Sequence, residues 1–151
     1  MTTIMDNPKM TGQVTFSRYN REGDLVEQRT ISNLVVTAGL QHMVARLSDT
    51  STPDQMSHMA LGSSSTAPAL SDAGLGAELG RTDLSVAGGT TSNNTVTYIA
   101  TFGSGVAVGA ITEAGVFNDS SSGTMLCRTS FPAINKESTD SLAVTWVITV
   151  S

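Results

Sequence analysis

Apolar and polar residues alternate with a period of two over much of this chain, most clearly in its last third. Leu142, Val144, Trp146, Ile148 and Val150 fall on one side of an extended segment that runs to the C-terminus, and Val147 on the other side marks it as a central strand. Val96, Tyr98, Ala100 and Phe102 alternate with Thr95, Thr97, Ile99 and Thr101 in the same way. Ile111 to Phe117 and Met125 to Phe131 flank Asn118-Asp119-Ser120-Ser121-Ser122-Gly123, a turn-rich stretch that predicts a hairpin. Nearer the N-terminus, Val14 to Tyr19 and Leu25 to Ile31 form a second hairpin around Asn20-Arg21-Glu22-Gly23-Asp24, and Asn33 to Val36 is again β-like. His58 to Gly62 reads as a short buried strand.

One segment changes period. Between Thr37 and Ser48, Leu40, Met43, Val44 and Leu47 recur at helical spacing, which predicts a helix with one apolar stripe, capped by Thr37 with help from Gln41. Leu75 and Leu79 are spaced for one further turn, weakened by Gly74 and Gly76, and Val86 to Asn94 reads as a loop. The first dozen residues show no periodicity. The chain therefore divides into a flexible arm, residues 1–12, and one domain, residues 13–151. About seven strands and one helix predict a mainly β fold: an antiparallel β-sandwich or jelly-roll-like domain with one short α-helix. The expected core comprises Leu40, Val44, Leu47, Phe102, Phe117, Val144, Trp146 and Ile148.

Composition narrows the functions. Only 14% of the 151 residues are charged, against about 25% in ordinary domains. Eight basic and 13 acidic residues are spread thinly, without the Lys/Arg cluster that nucleic acid requires. Neither a run of ~18 apolar residues nor a secretory leader is apparent, so no membrane partner is expected. A surface this poor in charge suits a protein whose neighbours cover part of it.

Candidate chemistry is sparse. Gly-x-Ser-x-Gly does not occur, and Gly103-Ser104-Gly105 opens like a dinucleotide loop but has Val108 where the third glycine belongs. His42 and His58 are far apart and read as surface or packing residues, and Cys127, the only cysteine, as a small buried hydrophobe. No catalytic residue, metal ligand or cofactor site is expected. Glu113 stands out in an otherwise apolar strand. A buried carboxylate needs a partner, and Arg128 lies about one residue out of register with it across the hairpin. The expectation is a structural ion pair, Glu113–Arg128; the alternative is that Glu113 faces water.

The order of several segments resembles short virion structural proteins of tailed bacteriophages, of tail-fibre-like or decoration-like kind. They are Asn33-Leu34-Val35-Val36-Thr37-Ala38-Gly39, Ala60-Leu61-Gly62 with Thr66-Ala67-Pro68, Glu78-Leu79-Gly80-Arg81, and Ile111 to Phe117. Met125 to Thr129, Ile134-Asn135-Lys136 and Asp140 to Trp146 complete the series, which covers residues 12–151. Cys127 stands where a small alanine-like residue is expected. The resemblance implies a non-enzymatic accessory subunit, decoration or appendage, assembled in the host bacterial cytoplasm and docked on head, neck or tail. Its partners would be capsid, neck or tail proteins and further copies of itself, as a trimer or a ring. A receptor- or carbohydrate-binding module at an appendage tip is the alternative, although aromatics make up only 5% of the chain.

Overall fold

The period-two segments form strands because each can bury one row of β-branched or aromatic side chains while hydroxyls face outward. A computed structural model describes residues 9–48 and 53–151. Its strands are β1 (Met10–Tyr19), β2 (Leu25–Val35), β3 (His58–Gly62), β4 (Glu78–Asp83), β5 (Thr90–Ser92), β6 (Thr95–Phe102), β7 (Gly109–Phe117), β8 (Met125–Lys136) and β9 (Ser141–Val150). One helix, α1 (Thr37–Arg46), follows β2. The strands make one antiparallel sheet in the order β4-β3-β7-β8-β2-β1-β9-β6-β5, in which β9 is an interior strand between β1 and β6 with one buried face.

The fold is mainly β with one short helix, and its two layers come from a single sheet that curls into a half-barrel. The seam is β2, whose residues up to Asn33 pair with β1 while only Leu34 and Val35 pair with β8. The two halves enclose one core, to which β1 contributes Val14 and Phe16, β9 Val144, Trp146 and Ile148, and the other half Leu61, Val116 and Leu126. Phe16 and Phe131 meet across it with ring centroids 4.6 Å apart. Phe102 and Phe117 are buried too, Phe117 in a second cluster with Val36, Ala60 and Met125 on the other side of the sheet.

The two outer faces differ. Over β3, β7 and β8 the segment from Ser63 to Ala77 folds across the sheet and seals it: Ser63 N–H bonds Ala77 O at 2.9 Å, and Thr37 N–H bonds Leu70 O at 2.9 Å. Over the other half no segment among the described residues lies on the outward side chains. Their rows run straight across the strands, Thr30–Thr15–Thr145–Ile99 and Ser32–Gln13–Val147–Thr97–Thr90.

Several expectations are corrected. Leu40, Val44 and Leu47 are not core: they are 42%, 67% and 88% exposed, whereas Gly39 and His42 are the buried helix positions. A Cβ on Gly39 would collide with the Leu126 carbonyl, so this glycine lets α1 press against β8. With 3.6 residues per turn, the apolar stripe then lies about 100° round the helix from the docked side. Val36, not Thr37, is the N-cap, and no side chain caps the helix. Leu79 lies in β4 rather than in a helical turn, and the 86–94 loop contains β5, giving nine strands instead of seven. Within the proposed arm, Met10–Gly12 belong to β1, and Lys9 already pairs with Ser151; residues 1–8 lie outside the described residues.

Candidate docking site

Glu113 and Arg128 meet. Arg128 sits opposite Gly115 in the β7–β8 register, two residues from Glu113 rather than the expected one. Nη2 and Nε lie 2.9 Å and 3.1 Å from Glu113 Oε2. The carboxylate is fully buried and also accepts backbone N–H bonds from Ala77 (2.7 Å), Gly76 (2.9 Å) and Ser64 (3.1 Å). Arg128 in turn donates to Thr66 O at 2.9 Å and to Asp72 Oδ2 at 3.1 Å. Burial by itself would raise the Glu113 pKa. The N–H groups of Ala77 and Gly76, the Arg128 guanidinium and Ser64 N–H outweigh it and hold the carboxyl below its usual value.

This cluster staples the Ser63–Ala77 segment to the sheet. Every bond that Glu113 accepts comes from that segment or from Arg128, so the carboxylate has no lone pair directed at an open cleft. Gly62 completes the fit, because a Cβ there would strike Glu113 and approach Ala77 O to 2.6 Å. Sequence reasoning found the pair but missed Asp72 and the three N–H donors, since no local pattern marks a loop that returns over a strand.

Other charges are spent the same way. Asp140 pairs with Arg18 at 3.1 Å and accepts Glu137 N–H at 2.9 Å; that N–H bond and the Arg18 pair keep its pKa low against the opposing effect of burial. Lys136, buried, donates to Gly103 O at 2.9 Å. Arg81 grips the β7–β8 hairpin through the Asp119 and Ser122 carbonyls, both at 2.9 Å, and stacks 3.8 Å over the Phe117 ring. Burial pushes the Cys127 thiol well above its ordinary pKa, as expected of an inert packing residue.

The two histidines differ. His58 connects Ser57 Oγ, 2.7 Å from Nδ1, to Asp83 Oδ1, 2.7 Å from Nε2. The residues are those of a hydrolytic triad, but the two ring nitrogens are used in the opposite sense, and Asp83 faces solvent and pairs directly opposite His58 in the β3–β4 register, so the contact is a cross-strand clasp. His42 lies in α1 with Nδ1 buried and unpartnered among the described residues; burial, then the nearby Arg46 charge, lowers its pKa.

The outward surfaces contrast with these paired charges. Below α1, at one end of the half-barrel, a trough of about 450 Å³ is lined chiefly by Met10, Met43, Met56, Tyr98, Leu126 and Ile148. Leu47 stands on its rim, and Val44 and Leu40 continue the apolar strip into solvent. Among the described residues, no helix is long and apolar enough to cross a membrane, and no three His, Cys, Asp or Glu side chains gather as a metal site. Searches against protein-family models, curated proteins and solved structures give no match to this chain.

Proposed function

We propose that this chain is a non-enzymatic structural protein of a tailed-phage virion, an accessory decoration or appendage subunit that docks on a larger assembly. One contrast carries the reading. Buried charges are consumed in stapling loops to the sheet, while the apolar stripe of α1 is turned outward beside an apolar trough. A domain that spends Glu113, Arg128 and Asp140 on its own rigidity and exposes Leu40, Val44 and Leu47 is built to be held by neighbours.

The segments that carry the resemblance to virion proteins also converge in space. Gly62, Thr66, Glu113 and Arg128 come from four of them and meet at the staple. Arg81 and Phe117, from two of the same segments, stack beside it. What the resemblance tracks is therefore a self-clamped scaffold. The alternative, a sugar-binding module, needs exposed aromatic faces, and six of the seven aromatic residues are buried, Tyr19 being the exception.

The test is mass spectrometry of purified particles made from the genome that encodes this chain. The protein should be present in many copies per particle, and Val44→Asp with Leu47→Asp should strip it from them. Its absence from particles would overturn the proposal, as would Ser57-dependent ester hydrolysis by the purified chain.

A further inference from the structure

We infer that the bare outer face of β2-β1-β9-β6-β5 is an interface that a second copy of this chain covers, face to face. The outward positions of these strands between Thr11 and Ser17 on β1, and their register partners, hold threonine, serine, glutamine, alanine, valine and isoleucine, with no Asp, Glu, Lys or Arg among them. Val147 and Ile99 supply apolar contact within the face, and Ile99 is 43% exposed. Sheet faces that stay in water are ordinarily guarded by interspersed charge. The opposite half of this same sheet shows the other solution, a segment clamped over it by Glu113 and Arg128.

Neutrality selects the occupant. A differently charged partner would be met by complementary charge, whereas two identical faces repel if either sign predominates. An uncharged face can meet its own copy about a two-fold axis without that penalty. Its hydroxyls both donate and accept, so each can bond its counterpart, as Thr15 and Thr30 already do at 3.0 Å within one chain. Edge-to-edge pairing is blocked instead: the β5 edge has three residues, and the β4 edge carries Glu78, Arg81 and Asp83.

The size is adequate. Four strands at about 4.8 Å spacing over roughly seven residues each, with the three-residue β5 beside them, give a footprint of ~500 Å² per copy. Two copies then bury on the order of 1,000 Å², the lower limit of a specific interface, so dissociation in the micromolar range is expected. The inference deepens the docking reading and rests on it for the role of the face, yet its test measures self-association alone.

Sedimentation equilibrium of the full chain from 1 to 200 µM should show reversible dimerisation. Thr145→Lys, at the centre of the face, should raise the dissociation constant at least tenfold, and Thr15→Glu should do the same. Circular dichroism and the melting temperature report whether each variant keeps its fold. If one does not, Thr97→Lys on the neighbouring strand replaces it. Thr145→Cys should form a disulfide-linked dimer on mild oxidation, because a two-fold axis near this position brings the two copies together. A wild-type chain monomeric at 200 µM overturns the inference, and so does a dimer that folded Thr145→Lys and Thr15→Glu leave unchanged. Loss of particle association with the dimer intact would count against the virion reading alone.

Discussion

Glu113 shows what one residue can commit a fold to. Its carboxylate is out of water, which is tolerable only because three backbone N–H groups and a guanidinium replace the lost hydration. Glu113→Gln keeps the shape but removes the charge opposite Arg128. We expect a loss of about 3 kcal/mol, the lower end for breaking a buried pair, and a melting point lower by roughly 10 °C. Calorimetry checks this, and unchanged melting would show that the carboxylate contributes nothing net. Gly62→Ala attacks the same cluster sterically, since the new methyl needs the space that Glu113 and Ala77 O occupy. It should lower stability comparably and increase proteolysis within residues 63–77, measurable by limited digestion.

At the scale of the element, α1 reverses the ordinary rule that a helix buries its apolar stripe. Its contact with the sheet is made through a glycine, and backbone proximity at Gly39 decides which side faces inward. Substitutions on the stripe should therefore cost little. Val44→Ser and Leu47→Ser are expected to shift stability by less than about 0.5 kcal/mol, as exposed positions do, whereas Val144→Ser in β9 should cost several-fold more. Urea unfolding of the three variants distinguishes the cases. Equal losses at all three would place the stripe back in the core.

Across the whole molecule, three buried ionisable groups bias stability in one direction. His42 titrates below its unfolded value of 6.5, so the folded chain binds fewer protons and stability is lost as pH falls from about 6.5 through the folded pKa. Glu113 and Asp140, also depressed, add stability that is complete above their unfolded values of 4.5 and 3.8 and is lost as pH falls through their lower folded ones. The melting temperature should thus decline in two stages on acidification, a shallow one below pH 6.5 and a steeper one below about 4.5. His42→Leu should abolish the first stage and leave the second. A stage that persists in His42→Leu would assign it to another group.

Much of this architecture was legible in the residues themselves. Alternation placed the strands of both hairpins and β9, because a pleated strand with one buried face writes its burial directly into a period of two. The isolated carboxylate of Glu113 pointed to Arg128, because charge in an apolar strand demands a partner within reach. Those are local rules, satisfied by neighbours in sequence or across one hairpin. Three features were settled only by the tertiary structure: the side on which α1 docks, the loop that returns over β7 to feed N–H groups to Glu113, and the curl that leaves one outer face covered and the other uncovered by any described residue. Each depends on segments far apart in the chain arriving at the same place. Spacing along the sequence does not encode which surfaces of one folded sheet will be sealed from within and which will not.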